Sequence, residues 1–144
     1  MFYSMGLDAR LQRPKFEGKV AVVHPNQAAI TGLKNLLEFF GLEVKVLQVT
    51  HESTPQEVAL FVSDYDPRLL FLAENYTPRQ FGQGVEALVE IRKTRSKDRL
   101  PVFMVSGAPS HRERAMQEGA NEYYEPVGNP VHYMENLLTT HLQS

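Results

Sequence analysis

Four residues of this chain carry side chains able to act as base, nucleophile or ligand where an apolar run gives way to polar sequence: His24, Glu74, Ser106 and Glu125. Imidazole near neutral pH is a competent base or nucleophile, so His24 is able to bind a ligand or accept a phosphoryl group. The plainer reading, favoured here, is a partly exposed histidine at a strand end with a local hydrogen bond. Ser106 is expected as a turn or cap donor at a strand end. The five histidines are scattered, with no pair four apart on a helix and no finger spacing, so no zinc site is expected. Zero cysteines exclude a thiol nucleophile, a disulfide framework and any cysteine-ligated metal. No cofactor is expected either. An enzymatic reading with His24 or Glu74 as base or nucleophile finds no convergent base, orienting group and oxyanion donor, so the chain is expected not to be an enzyme.

Composition narrows the class further. With 144 residues, 42% hydrophobic and 22% charged, the chain fits one globular domain with a full core. Fifteen basic against 17 acidic side chains give a net charge of −2, no global reason for nucleic-acid binding. The basic cluster Arg92, Lys93, Arg95, Lys97 and Arg99 is expected to be favourable charge at a helix C-terminus plus a solvated loop. No apolar run approaches the roughly 18 residues of a membrane span. Asp8, Arg10, Arg13 and Lys15 interrupt the start of the chain, leaving no apolar stretch for a signal peptide, and the cytoplasm is the expected compartment.

The elements that must position these residues are legible from period and caps. KVAVV (19–23) reads as a buried strand ended by Pro25. Asn26 sits as an N-cap, Ile30, Leu33, Leu37 and Phe40 fall three or four apart, and Gly41 follows as the closing glycine of an amphipathic helix. Residues 43–50 alternate as a second strand. Thr54-Pro55-Gln56-Glu57 has capping-box spacing with proline at the first helical position, and Asp66-Pro67 stops that helix. LLFLA (69–73) has no polar face, as expected of a strand covered on both sides. Residues 74–84 read as loop before Val85, Leu88 and Ile91 resume a helical period. PVFMVS (101–106) is a fourth strand, Ser110-His111-Arg112-Glu113 a second capping-box spacing, and 122–124 a short fifth strand. Asn129-Pro130 opens a last helix with Val131, Met134, Leu137 and Leu138. Five alternations of strand and helix argue for a parallel sheet with helices on both faces. Residues 1–18 are an extension, whose Phe2, Tyr3, Met5, Leu7 and Leu11 are expected to fray or to dock as an arm, and 19–144 form the domain.

The stretches KVAVVHPNQAAITGLKNLLEFFGLEV, DPRLLFLAENY and LPVFMVSGAPSHRERAMQEGANEYYEPVGNP, in that order before the final helix, make residues 19 to 142 resemble the bacterial response-regulator receiver domain. That resemblance implies a flavodoxin-like three-layer sandwich, with a five-stranded parallel sheet of order 2-1-3-4-5. Its ligand crevice lies at the carboxyl ends of strands one and three, the topological switch point. Receiver chemistry needs two acids after the first strand and an aspartate after the third to hold Mg²⁺, the last also accepting a phosphoryl group. A Ser or Thr after strand four and a Lys after strand five bind the phosphoryl oxygens.

Here His24 and Pro25 stand for the first-strand acids, Ala73 aligns with the acceptor aspartate, and Ser106 is retained. Glu125 occupies the lysine position, or that position is one residue out of register. Exchanging attraction for repulsion at about 4 Å is worth several kcal/mol at an effective dielectric near 20. Glu74 is expected as a solvated loop carboxylate, since neighbouring strand residues point to opposite faces. The alternative is a fixed negative charge near Ser106 that mimics a phosphorylated aspartate. Arg112, Tyr123, Tyr124 and His132 fall on the face that receivers commonly use for signalling, with one of the two tyrosines expected at a partner surface. The resemblance thus implies an atypical, phosphorylation-independent receiver domain that acts in signal transduction by binding a protein, a second copy of itself included. A small-molecule sensor using the crevice around His24, Ser106 and Glu125 is the alternative.

Overall fold

The structure, a computed structural model, describes residues 16–77, 82–107 and 110–142. The apolar residues of the extension named above lie outside them. In chain order the elements are β1 (Lys19–His24), α1 (Gln27–Phe39), β2 (Glu43–Gln48), α2 (Pro55–Tyr65), β3 (Leu69–Ala73), α3 (Gln83–Arg92), β4 (Val102–Val105), α4 (Arg112–Gln117), β5 (Glu122–Tyr123) and α5 (Pro130–His141). The strands form one parallel sheet of order β2-β1-β3-β4-β5, as expected.

Strand alternation divides the core in two. Val20, Val22, Leu69, Phe71 and Phe103 face Ile30, Leu33 and Leu37 of α1 and Met134 and Leu138 of α5. Ala21, Val23, Leu70, Leu72, Val102 and Met104 face Val58 and Val62 of α2, Leu88 and Ile91 of α3 and Ala115 of α4. All five residues of β3 are buried, because the central strand is covered by both helical layers. Truncating a side chain such as Phe71 to Ala would cost about 3–5 kcal/mol through lost burial and the cavity left behind.

Caps set where the helices begin. Asn26 accepts from the Ala29 amide at 3.0 Å. Thr54 accepts from the Glu57 amide at 3.1 Å while Glu57 accepts from the Thr54 amide at 2.8 Å, completing the capping box. Asn129 accepts from the amides of Val131 and His132. Asp66 takes a left-handed conformation (φ 54°) and its amide closes α2 on the Val62 carbonyl.

Several boundaries differ from the sequence reading. The Ser110 box does not form: His111 occupies the N-cap without a side-chain cap bond, and α4 has only six residues. Helix α3 starts at Gln83 instead of Val85, since Gly82 (φ 86°) turns the chain and the two added residues contribute backbone without apolar side chains. Strands β2, β4 and β5 are each shorter than the 43–50, 101–106 and 122–124 read from sequence, although the Val49 and Tyr124 amides just past β2 and β5 still bond the His24 and Met104 carbonyls.

Candidate functional site

The carboxyl ends of β1 and β3, where the resemblance places a ligand crevice, carry the loops that leave these strands. At the end of β1 the Asn26 amide donates to His24 Nδ1 at 3.0 Å, so that nitrogen carries no proton. Burial lowers the His24 pKa below its ordinary 6.5, because the charged ring is poorly solvated there. The imidazole is thus the locally bonded strand-end histidine expected from sequence. The Pro25 carbonyl accepts from Gln48 Nε2 at 3.1 Å, tying the ends of β1 and β2 together.

At the end of β3 the structure corrects the expectation for Glu74. Its side chain is fully buried, not solvated. Oε1 accepts from the Tyr123 hydroxyl in a short hydrogen bond, and Oε2 accepts from Asn75 Nδ2 at 3.1 Å. The argument from opposite strand faces fails because Glu74 lies one residue past β3. Its amide still bonds the Val105 carbonyl at 2.9 Å, but its side chain is aimed across the sheet end to β5. Ala73 is a core residue.

The loop after β3 is clamped by its own polar groups. Asn75 Oδ1 accepts from the Gly82 amide at 2.8 Å, Gln83 Oε1 accepts from the Tyr76 amide at 3.2 Å, and the Gly84 amide donates to the Glu74 carbonyl at 2.9 Å. Helix α3 approaches β3 so closely that a Cβ on Gly84 would lie 1.8 Å from the Ala73 carbonyl oxygen. Asn75 and Gly84 were not singled out from sequence. The signals that point to them are a short amide next to a buried acid and a glycine in the first turn of a helix. Tyr76 is buried too, its hydroxyl has no hydrogen-bond partner among the described residues, and burial raises its pKa.

Tyr123 transmits this arrangement outward. Its ring is buried, with the Arg112 guanidinium 4.4 Å from the centroid, and Arg112 Nη2 bonds Glu125 Oε2 at 2.5 Å. Burial, then the bond to the Glu74 carboxylate, raises the Tyr123 pKa. Glu125 is exposed, and its carboxylate holds Arg112 at the surface. The repulsion expected of a glutamate at that position is therefore met by an arginine.

The four residues read as one signalling face are divided by the strand. Tyr123 lies beneath Arg112, whereas Tyr124 faces the other layer, half-buried between Phe71 and Tyr133 with ring centroids 5.4 Å from each. Of the four, Arg112 and His132 are exposed. Ser106 follows β4 and is half-buried. Within the basic cluster, Arg92 reaches the Gly119, Arg95 and Ser96 carbonyls and Arg95 pairs with Asp66 at 3.2 Å, joining the ends of α2, α3 and α4. Among the described residues no three His, Asp or Glu side chains are grouped to hold a metal ion, and no helix is long and apolar enough to cross a membrane.

No protein-family model and no curated protein matches the sequence. Solved structures do match. The receiver domain of a sensor histidine kinase from Pseudomonas aeruginosa PAO1, solved with magnesium coordinated in its active-site cleft, is similar at TM-score 0.69 and 17% identity, over 89% of this chain and 99% of that one. A two-component response regulator from Clostridium difficile is similar at TM-score 0.67 and 16% identity, over 87% and 95%. A probable two-component response regulator/GGDEF domain protein is similar at TM-score 0.68 and 20% identity, over 98% of this chain but 55% of its own length. The chain therefore has the flavodoxin-like fold of response-regulator receiver domains.

Proposed function

We propose that this domain is a phosphorylation-independent receiver module that acts in signalling by binding a protein partner, and that it is not an enzyme. The observation that carries this reading is the buried Glu74 carboxylate, both of whose oxygens are already engaged by Tyr123 and Asn75. A carboxyl group engaged in this way is closed to phosphoryl transfer, and it lies one residue past Ala73, the position that the resemblance aligns with the acceptor aspartate. The same bond holds Tyr123 inward, with Arg112 over its ring. The positions at the end of β1 are His24 and Pro25, which supply no carboxylate for Mg²⁺.

The surface that this arrangement presents supports a binding role. Arg112, Glu125 and His132 are exposed, and so are the apolar side chains of Val127, at 81%, and Val131, at 37%. A partner protein or a second copy of the chain would bury them, and the cytoplasm is the compartment we assign to that encounter. The small-molecule reading has less support, because two of the three groups it would use, His24 Nδ1 and Glu125, already bond the Asn26 amide and Arg112.

Incubation with a small-molecule phosphodonor and Mg²⁺, followed by intact mass measurement, is the test. No mass increase is expected. A stoichiometric, base-labile phosphoryl adduct would overturn the proposal.

A further inference from the structure

Helix α5 has two neighbouring faces of different chemistry. Met134, Leu137 and Leu138 are buried in the core that holds Phe103. Tyr133, Asn136, Leu137, Thr140 and His141 are spaced i, i+3, i+4, i+7 and i+8, so they share the adjoining face, and they line a groove across from Glu122 of β5. A helix face laid beside a sheet is ordinarily apolar. This one carries an amide, a hydroxyl and an imidazole.

Strand register sets what these groups meet. Phe103 of β4 pairs with Glu122 of β5, so both side chains leave the sheet on the α5 side. Between strand and helix the groove holds about 280 Å³, with the buried Phe103 and Leu137 as its base and the exposed Glu122, Asn136 and Thr140 at its rim. Tyr123, the next residue of β5, packs in the other core layer. The groove therefore shares no side chain with the network of Glu74, Asn75 and Tyr123.

The rim favours one sign of charge. Among the described residues that line the groove, Glu122 is the acid and none is a lysine or arginine. His141 Nε2 stands 3.4 Å from Glu122 Oε2, its ring perpendicular to that of Phe103 with centroids 4.8 Å apart. An uncharged imidazole there leaves the carboxylate its full charge. The last turn of α5 adds the negative end of a twelve-residue helix. The Thr140 hydroxyl donates to the Asn136 carbonyl at 2.9 Å, so its oxygen keeps its lone pairs as acceptors.

An apolar base under a rim of oxygens fits a cation on an apolar stem. The base takes methylene groups out of water, and the carboxylate and the neutral oxygens accept from an ammonium group. An anionic ligand would meet Glu122 and the helix end as like charges, and a neutral one would forgo both attractions.

We propose that the groove between β5 and α5 is a binding site for a primary alkylammonium group, its stem on Phe103 and Leu137 and its nitrogen at Glu122.

Titration of the isotope-labelled full chain at neutral pH, followed through amide NMR shifts, tests this. The probe n-pentylamine should shift the amides of Glu122, Asn136 and Thr140 along a saturating curve. The uncharged n-pentanol, of similar size, should need about threefold more ligand for half-saturation, the worth of one exposed ion pair, and pentanoate should not saturate. Glu122→Gln should weaken the amine by the same factor and leave the alcohol unchanged. Amine and alcohol saturating alike would overturn the proposal, as would an amine curve that Glu122→Gln does not move or the lack of a saturating shift at these amides. Comparison of n-pentylamine with Nα-acetyl-lysine amide then separates a free amine from a lysine side chain as the source, by which of the two saturates first.

Discussion

The hydroxyl of Tyr123 on β5 donates to Oε1 of Glu74 at the end of β3, so two strands separated by β4 are joined at their carboxyl ends through side chains. Tyr123→Phe removes that donor and leaves a fully buried carboxylate with Asn75 as its remaining side-chain partner. A loss of about 1–3 kcal/mol is expected, read from urea unfolding. Replacing both partners with apolar groups, as in Tyr123→Phe/Glu74→Leu, should recover part of that loss, because no buried acceptor then lacks its donor. A double variant whose loss equals the sum of the single losses would show that the pair is not coupled.

Tyr76 gives the opposite expectation from the same substitution. Its hydroxyl is buried without a partner among the described residues, so no protein hydrogen bond there offsets its desolvation. Tyr76→Phe removes the oxygen and keeps the ring. Unfolding should show no loss of stability and a gain of up to about 1 kcal/mol. A loss above that size would mean that the hydroxyl has a partner in solution.

Two glycines in first and middle turns of helices separate steric need from tolerance. Gly84→Ala puts a methyl group 1.8 Å from the Ala73 carbonyl oxygen, and both sides of that contact are backbone. The loss should exceed about 4 kcal/mol or prevent folding, within the small class of severe substitutions. Gly32→Ala, exposed in α1 with nothing within 4 Å, should stabilise by about 0.5–1 kcal/mol. Thermal unfolding of the two variants side by side checks both signs.

The contrast between these positions shows what could be read from sequence. Strand and helix identities followed from local signals: the wholly apolar LLFLA run, the Thr54 to Glu57 box and the Asn26 and Asn129 caps all act within four residues. Sheet order came from the resemblance. The Glu74 to Tyr123 bond spans 49 positions and depends on where β3 and β5 end relative to each other. Local pattern carries no such information, which is why a buried acid was read as a solvated one. Ser110 failed for a related reason. Its motif is local, but the helix it would cap begins two residues later, where His111 lies against Gly82 of another element.

His24 ties stability to pH with a sign fixed by its bond. Nδ1 accepts from the Asn26 amide, so protonating the ring breaks that bond, and burial disfavours the charge as well. Both effects belong to the folded state. Its pKa lies below the unfolded value of about 6.5, so between the two values the unfolded chain binds more protons. The stability contributed by neutral His24 is therefore complete above about pH 6.5 and is lost as pH falls through the lowered folded value. The slope cannot exceed about 1.4 kcal/mol per pH unit for one group. Urea unfolding of the natural chain and of His24→Gln at pH 7.5 and 5.5 isolates this contribution, because the other four histidines are common to both. The natural chain should lose more stability between the two pH values than the variant. Equal losses would mean that His24 titrates alike in the folded and unfolded chain and that the Asn26 bond does not depend on its charge.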